Sequence, residues 1–475
     1  MDKKLTQNFC SNIMELDKQL RIGESFDLIK KEIVFGGHKA CIYFIDGFIK
    51  DEIMEKILEF WSKLSWQEVS ERQSASGVCK AYIPYVEAET ADDLNRIQTG
   101  VLSGMLCLLI DGYPEAILVD ARTYPVRGVS EPEDDKVLRG SHDGFVETLI
   151  FNTALIRRRI RDPQLTMEIT AVGNRSQTDI VLCYMKDRAD PHLVMQLQKR
   201  IKNIQVDALT LGQESLVECL LKPQWWNPFP KVRYTERPDA AAASVCEGSV
   251  LILTDNSPSV MILPSSIFDF IQDTNDYYFS PVVGTYLRWV RALVFLVTVF
   301  LTPVWYLLIR NPAWVPEWLT FILIEEPNQV PVVVQLLLIE FVIDGLKLAS
   351  LNTPSALSNS FSVVGALILG EFAVRVNWFV PEVVLYMAFV AIANFAQPSF
   401  ELGYAFKLFR VLILVLTALG NAWGFGIGVA LLLITITSTH TVTGKNYLYP
   451  LIPFRAKALA ALLIRKPISH SSKRK

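Results

Sequence analysis

Charge thins abruptly at Pro281. Residues 281–440 hold 15 Asp, Glu, Lys and Arg in 160 positions, whereas the first 280 residues hold 72. A chain with such a break reads as an aqueous half joined to a membrane half, not as one evenly mixed globule. The carboxylates left in the apolar half constrain it further. Glu340, Asp344, Glu371 and Glu382 stand in or beside long apolar runs. A carboxylate in hydrocarbon costs about 3 kcal/mol or more unless it meets a polar partner or a water-filled path.

The first 280 residues carry 31 Lys and Arg against 41 Asp and Glu. That acidic balance argues against a nucleic-acid partner. The seven cysteines, at 10, 41, 79, 107, 183, 219 and 246, are scattered and contain no C-x-x-C pair. Reduced thiols are expected, with neither a disulfide framework nor a zinc site. Charged residues run through the first 30 positions with no apolar core, so no signal peptide is expected and the aqueous half should be cytoplasmic. Beyond residue 440 the chain has eight basic and no acidic residues, a tail that the positive-inside rule also places in the cytoplasm.

The aqueous half reads as α/β in two lobes, 1–127 and 136–280, divided by a turn-rich acidic stretch. Apolar spacing predicts helices over 24–33 and 51–64, and a buried strand over 40–45. Hairpins are expected at 105–110 with 116–119, at 165–172 with 178–185, and at 249–254 with 260–263. Helices are expected over 191–204 and 213–222. No phosphate-binding glycine loop, H-E-x-x-H or G-x-S-x-G is present, and the bland reading of His142 beside Asp143 is a loop ahead of a helix; no enzyme and no cofactor are expected. Arg157, Arg158, Arg159 and Arg161 suit a helix C-terminus. They would grip a phosphate or acidic lipid, or pair with acids of a neighbouring lobe or subunit; subunit contact is the expectation carried forward.

The membrane half, 281–440, offers apolar segments at 286–309, 332–349, 360–376, 378–395 and 408–436, followed by the basic tail 441–475. The last segment is broken by glycines between 420 and 428, so it is one long span or a tight hairpin. A cytoplasmic start and end require an even number of crossings: six with the hairpin, or four if 408–436 is one crossing and 332–349 is re-entrant. Glu340, Asp344 and Lys347 share a helix face, as do Glu371 and Arg375. These acids and bases either neutralise one another in a packed bundle, or Glu340, Asp344 and Glu371 line a cation path. Repeated around an oligomer, they would make a carboxylate ring. Gly365 and Gly370 would let helices approach closely.

Several longer strings carry a resemblance. Arg139-Gly140 with Asp143-Gly144-Phe145 and Glu147, Asn152, and 155–161 resemble the signature of the GerA-type spore germination A subunits. So do Val172-Gly173 with Ser176-Gln177-Thr178, Thr235-Glu236-Arg237-Pro238-Asp239 with Glu247-Gly248, Asp276-Tyr277-Tyr278, and Val363-Val364-Gly365-Ala366-Leu367 with Gly370. The segment 343–349, followed by Asn352-Thr353-Pro354, departs from the receptor subunits. With 394–404 and 447–454, it is similar to an accessory, stage V sporulation branch of the family. The resemblance implies an inner-membrane protein of the endospore, a homo-oligomer (a pentamer by family analogy) with other spore membrane proteins as partners. It also implies a channel that releases monovalent cations such as K+ early in germination. A secondary transporter and a non-conducting membrane scaffold are the competing classes; no internal repeat of the kind a transporter would show is seen in the membrane half.

Overall fold

The computed structural model describes residues 4–465, apart from 123–136, 138–139, 353–372 and short gaps at 50, 73, 84, 86, 222–223, 274, 326–328, 443 and 445. The chain divides into two compact units, Met1–Pro223 with Val232–Pro264, and Gln224–Lys231 with Ser265–Lys475.

The first unit contains two five-stranded antiparallel sheets. Strands β1 (Leu28–Phe35), β2 (His38–Ile45), β3 (Ala88–Ala91), β4 (Leu106–Ile110) and β5 (Ala116–Val119) lie in the order β1-β2-β4-β5-β3. Strands β6 (Leu165–Val172), β7 (Thr178–Met185), β8 (Arg233–Thr235), β9 (Val250–Thr254) and β10 (Val260–Leu263) lie in the order β6-β7-β9-β10-β8. The second order is the first with five added to each strand number, so the unit is a repeat in topology. Two asparagines mark it. Asn12, the fourth residue of α1 (Phe9–Leu20), accepts from the Thr6 amide and donates to its carbonyl. Asn152, the fourth residue of α6 (Leu149–Arg159), does the same with Val146, also six residues upstream.

Helices cover both faces of the first sheet. On one side Leu16 and Leu20 of α1 pack with Ile97 and Val101 of α5 (Leu94–Leu102). On the other, Trp61 of α2 (Asp51–Ser62), Val69 of α3 (Trp66–Ser70) and Val78 of α4 (Ala75–Tyr82) form a second layer. Strands β4 and β5, enclosed between the layers, are buried at every position, which is why they read as unbroken apolar runs. Helices α7 (Pro191–Lys202), α8 (Gln213–Leu220) and α9 (Pro238–Cys246) accompany the second sheet.

One expected helix is a strand. Residues 24–33 were expected to be helical, but 28–35 pair with 38–45 over eight positions, from Leu28 opposite Ile45 to Phe35 opposite His38. The turn between them is Gly36-Gly37, both at positive φ, 51° and 79°. That pair is a hairpin signal strong enough to override the helical spacing of the flanking residues.

The second unit is helical. Its main elements are α10 (Asn275–Tyr278), α11 (Pro281–Arg310), α12 (Val332–Asn352), α13 (Pro381–Phe395), α14 (Phe400–Ser438) and α15 (Ala456–Leu463). Among the described residues α11 and α14 are long and apolar enough to cross a membrane, and α13 is a shorter apolar helix. α14 is bent back on itself. Asn421 leaves helical geometry at φ 51°, ψ −131°. A Cβ on Gly424 would stand 1.8 Å from the Leu416 carbonyl oxygen, and one on Gly428 3.0 Å from Ile413 Cα. Residues 422–438 therefore run back along 400–420 as the second limb of a hairpin. α11 packs Phe295 and Val299 against Phe406 and Phe409 of the first limb, and Trp305 stacks on Tyr386 of α13 with ring centres 4.4 Å apart.

Candidate functional site

α12 presents Glu340, Asp344 and Lys347 at successive turns of one face, and the first limb of α14 presents Lys407 and Arg410 three residues apart. The two sets meet. Arg410 donates from Nε to Glu340 Oε1 at 2.7 Å and approaches it through Nη2 at 2.5 Å. Lys407 lies 3.2 Å from the other Glu340 oxygen and also pairs with Asp344. Arg410 is only 2% exposed, Lys407 5% and Glu340 6%, while the Asp344 side chain is 37% exposed. The cluster is thus closed at Glu340 and open at Asp344. Two carboxylates against two cations leave no net charge among these four, the condition under which ions are tolerated away from water.

The next layer is polar and fixed. Arg410 Nη1 donates to the Thr298 carbonyl at 2.7 Å. The Thr298 hydroxyl donates to the Val294 carbonyl at 2.9 Å, so it accepts from Gln397 Nε2, at 2.7 Å. That orientation aims Gln397 Oε1 towards Gly403, where a Cβ would stand 2.5 Å from it and 3.0 Å from Asn394 Oδ1. A side chain at 403 would have to displace both amide groups. Lys347 places its ammonium 4.6 Å from the centre of the Phe395 ring and 5.1 Å from that of Tyr404, within cation–π range of both.

A second contact set holds the hairpin tip. Arg310, at the end of α11, donates to the Thr417 and Ala418 carbonyls at 3.0 and 2.6 Å. These are carbonyls that the end of a helical limb leaves without intrahelical partners. Asn311 and Asn421 exchange side-chain amide hydrogen bonds at 2.7 and 3.0 Å.

The structure sorts the other expected residues. Glu371, Gly365 and Gly370 lie outside the described residues. Glu382 stands in the first turn of α13, where an acid is favoured by the helix dipole. The arginine run is not a uniform face. Arg157 is fully buried and pairs with Asp27 at 2.8 Å, and it donates to the Leu165 and Asp162 carbonyls at 3.0 and 3.1 Å. It joins the two lobes inside one chain and is removed from the expected subunit contacts, because a guanidinium with no exposed surface has nothing to offer a neighbour. Arg159 pairs with Asp143 at 3.0 Å, Arg158 is half-buried, and Arg161 is exposed. Among the described residues no group of three or more His, Cys, Asp or Glu is placed to hold a metal ion.

The residues that sequence reading missed are Lys407 and Arg410. The signal was present: two cations at a three-residue interval opening one apolar stretch, matching two carboxylates at a four-residue interval in another.

Residues 15–475 match the model of the Bacillus/Clostridium GerA spore germination protein family. The chain belongs to the GerA spore germination family. It is 36% identical over 462 residues to stage V sporulation protein AF of Bacillus subtilis (strain 168), covering 97% of this chain and 93% of that protein. It is 27% identical over 471 residues to spore germination protein KA of the same organism, covering 98% and 85%. A crystal structure of the N-terminal domain of the A subunit of the Bacillus megaterium spore germinant receptor GerK3 aligns with a TM-score of 0.42 and 23% identity, over 55% of this chain and 96% of that one.

Proposed function

We propose that this chain is the membrane subunit of an oligomeric channel in the inner membrane of the spore, releasing K+ and other monovalent cations to assist germination. Family membership supports the role in germination. The observation that carries the channel reading is the half-open ion cluster between α12 and α14. Glu340 is spent on Arg410, a structural pairing. Asp344, 37% exposed on its side chain, is the carboxylate able to meet water and cations. One copy per subunit, in a pentamer by family analogy, would set a ring of carboxylates at one level, a common selectivity device.

Six crossings are the working count, with the hairpin limbs as the last two and both the first unit and the tail in the cytoplasm. Arg161 is the member of the arginine run offered to a neighbouring subunit. Other spore membrane proteins are the expected heterologous partners. The compensation of Glu340 and Asp344 by Lys407 and Arg410 favours one second reading, a non-conducting scaffold in which the cluster only packs the bundle.

The test is K+ release from germinating spores carrying Asp344→Asn at unchanged protein level. The channel reading expects slower release or altered preference among monovalent cations. Unchanged release with the protein present supports the scaffold.

A further inference from the structure

The geometry points to residues 449–464 as a peripheral membrane anchor lying on an acidic phospholipid surface beside the entry of α11. It rests on α11 crossing the bilayer.

The C-terminal end of α15 is bolted to the first turns of α11. Arg288 Nη1 donates to the Ala461 and Leu462 carbonyls at 2.9 and 3.1 Å, and Trp289 Nε1 donates to the Leu463 carbonyl at 3.2 Å. The Arg465 amide donates to Thr285 Oγ1 at 3.1 Å, and its guanidinium to the Tyr277 carbonyl at 2.6 Å. The bonds from Arg288 and Trp289 satisfy carbonyls that a helix end leaves orphaned, and together the set fixes the C-terminal end of the segment beside α11. α11 has 30 residues, about 45 Å at 1.5 Å per residue, against a hydrocarbon core of about 30 Å. Its ends therefore reach the headgroup layers. Tyr286 and Trp289, 66% and 61% exposed, mark such a layer, where aromatic side chains concentrate.

The segment leaves large apolar side chains uncovered: Leu451, Ile452, Phe454, Leu463 and Ile464 are 41–68% exposed. Arg455 and Lys457, also exposed, lie among them, and no acid occurs from 441 to 475. Apolar side chains interleaved with cations, held beside an entering span, match a bilayer surface bearing negative headgroups. An aqueous site would leave the apolar side chains in water without compensation.

The test compares backbone hydrogen exchange of the full chain in phosphatidylglycerol and in phosphatidylcholine nanodiscs, with α11 as the reference in each sample. Residues 456–463 should exchange about tenfold more slowly in phosphatidylglycerol, roughly the weight of one to two basic residues at an acidic surface. Arg455→Glu combined with Lys457→Glu should erase the difference, and Phe454→Ser should speed exchange in both lipids. Equal rates in the two lipids with α11 protected would overturn the anchor alone. Free exchange in α11 as well would overturn the membrane reading beneath it. Protection that appears only on adding a soluble protein would assign the surface to that protein instead.

Discussion

Arg410 and Glu340 form a buried ion pair at 2.7 Å, with the Arg410 guanidinium also held by the Thr298 carbonyl. Removing Arg410 leaves Glu340 and Asp344 to share Lys407 alone, one negative charge in excess. Breaking a buried pair from one side costs about 3–5 kcal/mol, whereas replacing both members with apolar side chains is often nearly neutral. Arg410→Leu should therefore lower the thermal stability of the purified protein severely. The double variant Glu340→Leu/Arg410→Leu should recover most of the loss. A double variant no better than Arg410→Leu would contradict the pairing.

The hairpin in α14 makes a sharper geometric prediction. Gly424 faces the Leu416 backbone, with 1.8 Å available for a Cβ, while a Cβ on Gly426 meets nothing within 4 Å. Both sit on the same limb. Gly424→Ala should destabilise by about 1–3 kcal/mol or more through overpacking, and Gly426→Ala should be neutral or slightly favourable. Equal melting temperatures for the two variants would exclude the reversal at Asn421.

In the first unit, Arg157→Leu should cost about 3–5 kcal/mol, since it strands the buried Asp27 carboxylate. Arg161→Leu, at an exposed site, should cost under about 0.5 kcal/mol. Hydrogen exchange would read the first as opening between the two lobes around Ser25 and Met167, where Met167 donates its amide to Ser25 Oγ at 3.0 Å.

Much of this architecture was legible in the residues, and the failures have physical causes. Strands 165–172 and 178–185 alternate or run apolar between clear turns, and they form as expected. Strand β1 was misread because its Lys30-Lys31-Glu32 centre breaks the alternation and its apolar ends fit a helix. The pairing with β2 and the Gly36-Gly37 turn decided it. The repeat of topology was invisible, because the two lobes share strand order and an asparagine contact but no long string of residues. In the membrane half the carboxylates stood out, since charge is rare there. Their cations did not, because Lys407 and Arg410 are about 65 residues away along the chain and helix pairing is a tertiary fact.

Burial also separates the thiols. Desolvation pushes Cys41 up to about 11 and pushes Cys107 and Cys183 higher still. A raised pKa starves a thiol of thiolate, the reactive form. At pH 8, alkylation of the folded protein should modify Cys10, which is exposed, well before Cys41, Cys107 or Cys183. Mass spectrometry of the native and urea-unfolded chain checks the order. Early labelling of Cys107 would mean that β4 is not enclosed.

The most direct test is K+ flux through vesicles reconstituted with the purified chain, alone and with its spore membrane partners. The channel account predicts a cation-selective flux that Asp344→Asn reduces or makes less selective, while Glu382→Gln leaves it unchanged. No flux under either condition, from protein that is folded and oligomeric, would contradict it.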